Sequence, residues 1–232
     1  MSMNSENEKR ASAENKNVNQ ENKNTIKNSI RNAYQKAYTR LRAFRLKNKD
    51  FTIISNNCCG GIMYHDLKHR FLSPTINLYI PADDYLLFVE NLFDVLNLRI
   101  IEEKDTEYDY PVGVITLPDH QTIHIYFIHY KSFEEAANKW YERSKRIHKD
   151  NLFIFMEMGK STSDERVERF LRLPFRHKLA VTNTRYSDRR IQYSDIYDES
   201  YFSGKILEHK HGISACKRYL DDIDYISWLN EE

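Results

Sequence analysis

From Phe51 onward, short apolar runs alternate with helical patterns, and this alternation is the strongest constraint on the fold. The runs are rich in Ile, Val and Phe and are continuously apolar, which is typical of strands buried on both faces of a parallel sheet. The helical segments between them would cover those faces. The sequence therefore predicts an α/β fold, with a mostly parallel sheet between two helical layers in a Rossmann-like three-layer arrangement. The predicted strands are residues 51–55, 75–80, 98–104, 111–117, 122–130, 151–158 and 178–183.

Local signals add detail to this prediction. Residues 111–117 and 122–130 are joined by the turn PDHQ, which indicates an antiparallel hairpin on the sheet or beside it. Ser132 and Thr162 are each followed by Glu three residues later, the pattern of a capping box at a helix start. A last short helix is expected in the segment YLDDIDYISWL near the carboxyl terminus.

Composition divides the chain into three parts. Residues 1–24 contain seven Asn and no aromatic residue, Leu or Ile, so we expect a disordered tail. Residues 25–49 have the pattern of a basic amphipathic helix, and residues 50–232 that of a single α/β domain.

The amphipathic helix has two possible roles. Its eight Lys and Arg residues are accompanied by no acid before Asp50, which leaves about −7 on residues 50–232 of a chain whose net charge is +1. Such a helix can lie on the anionic inner face of the plasma membrane, or its apolar stripe can pack on the domain while its basic face is solvated. The stripe consists of Ile26, Ile30, Ala33, Ala37, Leu41 and Phe44.

Several classes of protein are not expected. The three cysteines are odd in number and two are adjacent, so no disulfide framework is implied, and the absence of a signal peptide or membrane-spanning run predicts a cytoplasmic protein. Near-zero net charge and the lack of a reader motif argue against nucleic-acid binding. The sequence contains neither a dinucleotide fingerprint nor a Walker motif, so no cofactor is predicted. His65 and His69 share one predicted helical face, but Asp66 stands where a zincin needs Glu, so no metal site is expected.

The turn after the first strand is the first candidate site. It contains Ser55, Asn56, Asn57, Cys58, Gly60 and Gly61. Free amides at a helix start attract anions, and the glycines would let a ligand approach the backbone closely. Cys58 has three possible roles: a nucleophile with His129, or else His65, as its base; a residue that lines a ligand site; or inert packing.

A second candidate segment follows the hairpin. His129 and Lys131 end a predicted strand, and Arg143 and Arg146 lie one turn apart on the next predicted helix. These cations could bind a phosphate or carboxylate, although Arg146 could equally form a surface pair with Glu142.

The chain resembles a known family in six segments, taken in order over roughly residues 40 to 230. They are FTIISNNCCGG, SPTINLYIPADDYLLFVENL, YPVG, IHYKSFEEAANKWYERSKRI, DNLFIFM and RYLDDIDYISWLN. These segments resemble the family called domain of unknown function 1919, which is commonly labelled exopolysaccharide biosynthesis protein. The residues that match the family pattern are Ser55, Asn56, Asn57, Cys58, Gly60, Gly61, His129, Lys131, Trp140 and Arg143. Cys59 departs from the pattern, and the pair His65 and His69 does not belong to it. The resemblance implies a bacterial capsule or cell-surface polysaccharide pathway and no particular reaction.

We therefore expect a cytoplasmic transferase that acts on a sugar-nucleotide or a lipid-linked saccharide. Cys58 and His129 would line the reacting centre, while Lys131 and Arg143 would hold negative charge. The alternative is a non-catalytic protein that binds a glycan or an assembly partner, with residues 186–202 as its contact surface. The enzymatic interpretation requires the turn after the first strand and the segment around Lys131 to converge on one hollow.

Overall fold

The computed structural model describes residues 25, 27–104, 106–197 and 204–231, so the predicted tail lies outside the described residues. Within them the strands are β1 (Thr52–Ser55), β2 (Ile101–Glu103), β3 (Val112–Thr116), β4 (Thr122–Tyr126), β5 (Leu152–Gly159), β6 (His177–Thr182) and β7 (Ile191–Tyr193). The α-helices are α1 (27–45), α2 (Cys59–Asp66), α3 (Ala82–Glu90), α4 (Leu92–Val95), α5 (Phe133–Ser144), α6 (Asp164–Arg172) and α7 (Tyr225–Leu229). Short 3-10 helices occupy Lys205–Leu207, Gly212–Ser214 and Tyr219–Asp222.

Four of the strands form a parallel sheet in the order β1-β5-β6-β7. Ile54 pairs with Ile154 between β1 and β5, and Ala180 pairs with Ile191 between β6 and β7. All four strands therefore end at the same edge. The predicted α/β fold with a mostly parallel sheet is confirmed.

Strand β5 separates two cores, one on each face of the sheet. Its residues Ile154 and Met156 belong to a core shared with α3, α5, α6 and the antiparallel strands. The intervening Phe153 and Phe155 belong to a second core shared with α2, α7 and Leu46. Because neighbouring residues of a strand point to opposite faces, one continuous apolar run supplies both cores.

The predicted hairpin is confirmed as part of a separate three-stranded antiparallel sheet with the order β2-β3-β4. Val112 pairs with Tyr126 and Thr116 with Thr122, and the Leu117 amide donates to the Gln121 carbonyl at 2.8 Å. This sheet packs its apolar side into the first core. It therefore lies beside the parallel sheet and does not extend it.

The strand predicted at residues 75–80 does not form. Asn77 has a φ of +62°, a left-handed conformation that interrupts an extended strand. Only Tyr79 makes a bridge, to Tyr126 of β4, and the Ile80 amide donates to the Asn56 carbonyl at 2.8 Å. The segment therefore links the antiparallel sheet to the end of β1.

Helix α1 does not pack its apolar stripe on the domain, which was one of its two predicted arrangements. Ile30, Leu41 and Phe44 of the apolar stripe are exposed, while Arg42 on another face is buried. The expectation that the stripe packs on the domain is therefore wrong for the described residues; Ile26 lies outside them. The helix ends at residue 45, not at 49, because Leu46 enters the second core.

The two predicted capping boxes have different outcomes. The Ser132 side chain accepts a hydrogen bond from the Glu135 amide at 3.2 Å, which confirms the start of α5. Helix α6 is capped one residue later than predicted, because Ser163 and not Thr162 accepts from the amide three residues on, that of Arg166. Thr162 instead donates to the Gly159 carbonyl at 2.6 Å, closing the turn after β5.

Among the described residues, none of the helices is both long and apolar enough to cross a membrane.

Candidate functional site

The candidate site lies at the carboxyl edge of the parallel sheet, where β1, β5 and β6 end. In open α/β sheets, ligands bind outside this edge, among the loops that follow the strands. Here Ser55 is the last residue of β1, Asn56 and Asn57 follow it in the loop, and β5 ends at Glu157, Met158 and Gly159.

The loop after β1 satisfies its own backbone groups. Ser55 Oγ accepts from the amides of Asn57 and Gly60, both at 3.3 Å, and Asn57 Oδ1 accepts from the Cys59 amide at 2.9 Å. The amides of Cys59 and Gly60 are therefore engaged by side chains of the same loop. These two amides are therefore not free to bind an anion in this arrangement, and anion binding at this helix start stays a prediction.

Of the two glycines of this loop, only Gly60 is required for packing within the protein. A Cβ atom at Gly60 would lie 2.9 Å from Ser55 Cβ and 3.3 Å from Ile53 Cγ2, so only glycine lets α2 approach β1 this closely. A Cβ at Gly61 would lie 3.6 Å from Ile76 Cγ2, an ordinary contact. Both glycines are buried.

Asn56 extends the pairing of β1 with β5 beyond the last strand residue. Its Nδ2 donates to the Glu157 carbonyl at 2.9 Å, and its Oδ1 accepts from the Glu157 amide at 2.9 Å. The side chain thus reproduces the pair of bonds that a strand residue would make. A buried amide in this position holds the loop against the end of β5.

Glu157 is the buried carboxyl group at the centre of the edge, with 5% of its surface exposed. Its Oε2 accepts from Asn57 Nδ2 and lies 3.7 Å from Cys59 Sγ. Its Oε1 and the buried hydroxyl of Tyr197 have no well-aligned hydrogen bond among the described residues, although that hydroxyl and the Gly204 amide are close enough to the carboxyl to lower its pKa. Because a buried polar atom without a partner is costly, it is the kind of group that a ligand can satisfy. We refer to Asn56, Asn57, Cys59, Glu157 and Tyr197 as the Glu157 cluster.

The cluster is arranged to keep Glu157 protonated more readily than an ordinary carboxyl group. Burial raises the pKa of Glu157, and the polar groups around it, Tyr197 and Asn57 first, pull that pKa back. Burial and then the Glu157 carboxylate raise the pKa values of Cys59 and Tyr197. The Tyr197 ring packs over Gly159, where a Cβ would lie 3.2 Å from its atoms and the φ is +46°.

Sequence reasoning missed Glu157. The residue ends an otherwise apolar run, LFIFM, at a position where β5 is buried on both faces. A charged residue inside such a run is the signal that could have identified it, because carboxylates are rarely buried without a specific environment.

Cys58 is half-buried and has little nucleophilic character. Its thiol lies 4.0 Å from the Leu78 carbonyl, and burial, followed by the Glu157 charge, raises its pKa to about 11. The nucleophile is the thiolate, so a thiol that stays protonated at neutral pH is poorly suited to attack. None of the hydrogen bonds among the described residues joins Cys58 to His129.

The second predicted segment reaches the loop through one residue. Arg143 donates to the Tyr130 hydroxyl at 2.7 Å and to the Ile76 carbonyl at 3.5 Å, and Ile76 is the residue that faces Gly61. His129 and Lys131 are exposed, His129 in a turn after β4 and not at the end of a strand. The structure therefore brings Arg143 close to the loop, while His129 and Lys131 are not hydrogen-bonded to it.

Four tyrosines form a cluster beside the Glu157 cluster. Tyr108 and Tyr110 stack with centroids 5.2 Å apart, Tyr108 meets Tyr126 edge-on at 5.2 Å, and Tyr126 lies 6.1 Å from Tyr79. Half of Tyr108 is exposed. Burial raises the pKa of Tyr79, and the charges of Glu157 and Asp84 raise it further. The next residue, Ile80, donates its amide to the Asn56 carbonyl at 2.8 Å, which places this end of the cluster next to the loop after β1. We call these four residues the tyrosine cluster.

The histidine pair is separated by the end of a helix. Helix α2 ends at Asp66, and Lys68 adopts a φ of +54° that turns the chain before His69. His65 Nδ1 lies 2.9 Å from Asp66 Oδ1, whereas His69 Nε2 contacts the Lys49 carbonyl at 2.9 Å. No group of three or more His, Cys, Asp or Glu side chains in the described residues is placed to hold a metal ion.

Comparison with known proteins identifies the family. A sequence model of the family described as domain of unknown function 1919 matches residues 29–230. The chain belongs to this family. The chain is also 32% identical, over 197 residues, to a protein of Haemophilus influenzae described as an uncharacterized protein. The match covers 80% of this chain and 87% of that relative. The match includes the Glu157 cluster and the tyrosine cluster, so both lie inside the family domain.

Proposed function

We propose that this protein is a transferase of bacterial exopolysaccharide or capsule biosynthesis that acts on a sugar-nucleotide or lipid-linked sugar at the carboxyl edge of the parallel sheet. The observation that carries the proposal is the Glu157 carboxyl itself, a titratable group buried at the centre of that edge with a pKa that burial raises. A raised pKa favours the protonated carboxyl more than in an ordinary Glu, which suits a group that takes up a proton and returns it.

In the proposed step, Glu157 acts as the general base. The carboxylate takes the proton of an acceptor hydroxyl while the hydroxyl oxygen bonds to the transferred group, and the bond from that group to the donor phosphate breaks. The protonated carboxyl then loses its proton to solvent. For a hydroxyl to reach Oε1, the Tyr197 side chain has to move aside, because Tyr197 is itself buried against the carboxyl. Nucleophilic Cys58 with His129 as its base stays a separate prediction.

The tyrosine cluster supports a saccharide as the substrate class. Aromatic faces pack against the apolar face of a sugar ring, and tyrosine hydroxyls can bond its hydroxyl groups. Tyr108 is exposed and Tyr79 is half-buried, and the charge of Glu157 raises the pKa of Tyr79, so the cluster joins a solvent-facing ring to one that the carboxyl influences. A sugar on this cluster would place its hydroxyls towards the carboxyl edge.

Glu157→Gln tests the proposal. Glutamine keeps the acceptor for Asn57 and removes the titratable proton, so we expect transfer activity, measured as surface polymer restored to a deletion strain, to fall about a hundredfold. Glu134→Gln, on the exposed part of α5, is the matched control and is expected to retain full activity. Normal polymer with Glu157→Gln would overturn the catalytic role.

The pH dependence of stability gives a second readout for the same variant. A carboxyl whose folded-state pKa is raised binds more protons in the folded state, so it lowers stability as pH rises from the unfolded value through the folded one. We expect wild-type protein to lose thermal stability over that range and Glu157→Gln to be less sensitive and at least as stable at pH 7.5. Parallel pH profiles for the two proteins would contradict the raised pKa.

A non-catalytic glycan-binding or assembly-partner role is the second candidate, and the exposed tyrosine cluster favours it. The contact segment predicted at residues 186–202 lies partly outside the described residues, and the tyrosine cluster replaces it as the candidate surface. In this case Tyr108→Ala would weaken saccharide binding in calorimetry, while Glu157→Gln would leave both binding and polymer output unchanged.

A further inference from the structure

Helix α1 presents an apolar stripe to solvent. Of its side chains, Phe44 is 88% exposed, Ile30 66%, Leu41 62% and Tyr34 56%. At 100° per residue these four positions, together with the exposed Ala33 and Ala37, occupy one side of the helix. Large apolar residues that share one exposed face mark a surface that binds something.

The opposite side of α1 attaches the helix to the domain. Gln35 Nε2 donates to the Ala215 carbonyl at 2.9 Å, and buried Arg42 lies 3.3 Å from Asp221 Oδ1. The Arg42 guanidinium also lies 4.4 Å from the centroid of the Tyr225 ring. These contacts leave the apolar stripe pointing away from the protein body.

Basic residues flank the stripe on both sides. In helical projection Lys27, Arg31 and Arg45 lie along one border, and Lys36 and Arg40 along the other. None of the ion pairs among the described residues involves Lys27, Arg31, Lys36 or Arg40. A cavity of about 690 Å³ lies beside α1 on the second border, and its wall adds Lys68 to Lys36 and Arg40, while Arg218 in the same wall is paired with Asp66 at 2.9 Å.

We propose that α1 docks the protein on an anionic lipid surface, lying in the plane of the interface with its stripe among the acyl chains. A bilayer accepts a convex apolar ridge without a matching groove, and its headgroup phosphates complement cations on both borders. The net charge of about −7 on residues 50–232 would orient the body away from that surface. This docking is independent of the reaction proposed for Glu157.

Vesicle flotation with the full chain tests the proposal. We expect flotation with vesicles of phosphatidylcholine and phosphatidylglycerol, little flotation with phosphatidylcholine alone, and a strong decrease in binding as salt rises. Leu41→Ser with Phe44→Ser should reduce the partition coefficient at least tenfold, and Lys36→Gln with Arg40→Gln should reduce it by about tenfold.

Ile213→Ser is the matched control, because Ile213 is 96% exposed and lies outside α1, and this variant should float like wild type. Circular dichroism checks that every variant is folded. Equal flotation of wild type and the stripe variant would overturn the proposal, as would a dimer that depends on Leu41 and Phe44 without vesicle binding, which would assign the stripe to a second copy. Glu157→Gln should float normally, so failure of the proposed reaction would not be mistaken for failure of docking.

Discussion

The loop of residues 55–61 and helix α1 relate to the rest of the molecule in opposite ways. The loop is made of small polar residues typical of an open ligand site, yet it is buried and its side chains bond its own amides. Helix α1 has the apolar stripe typical of a packed helix, yet that stripe is exposed.

The difference shows what decides whether a surface is available. Polar groups that leave water must find partners, so a compact loop with Ser and Asn side chains closes on itself. An apolar stripe is buried only if the chain offers a complementary face, and here the domain contacts α1 through Gln35 and Arg42. At the loop, Glu157 is therefore the candidate group for contact with a ligand. On α1, the exposed apolar stripe is the candidate docking surface.

Removing the attachment of α1 should have the largest effect on stability. Arg42→Ala leaves Asp221 buried without its partner, and we expect the free energy of unfolding to fall by about 3–5 kcal/mol in urea denaturation. Arg40→Ala, on the exposed border of the same helix, should change it by less than about 0.5 kcal/mol. Equal effects of the two variants would show that the helix is not held through Arg42.

The two adjacent glycines of the loop should respond in opposite directions. Gly60→Ala places a methyl group 2.9 Å from Ser55 Cβ, so we expect a loss of about 1–3 kcal/mol in unfolding free energy. Gly61→Ala meets only ordinary contacts inside a helix and should gain up to about 1 kcal/mol. Thermal denaturation of both variants measures the sign, and a neutral Gly60→Ala would mean that the loop is less tightly packed than described.

Replacing exposed residues of the apolar stripe of α1 should have the smallest effect on stability. Replacing Leu41 and Phe44 by Ser should change unfolding free energy by less than about 0.5 kcal/mol per site, because both side chains are exposed. If the stripe were packed on the domain, each replacement would cost about 2–5 kcal/mol. A loss of that size would contradict the exposed arrangement.

Much of the fold could be predicted from residue patterns. The continuous runs that became β1, β5 and β6 are long, apolar and bounded by polar turns, so each indicates its own element. The run at residues 75–80 failed because Asn77 adopts a left-handed conformation, which the apolar pattern does not reveal. The structure brings most of the candidate site residues into one region: Ser55, Asn56, Asn57, Cys58, Gly60, Gly61 and Arg143. His129 and Lys131, which precede the helix of Arg143, are exposed.

By itself the sequence determined the order of strands and helices, the parallel sheet, the basic character of α1 and the polar loop after β1. These depend on local pattern and on the period of each element, which the chain carries at every position. Tertiary structure alone decided that α1 turns its stripe outward, that Glu157 is buried at the carboxyl edge of the sheet, and that four tyrosines from three separate segments meet. Each of these depends on which residues come together across the fold, since burial and hydrogen bonding are properties of neighbours in space.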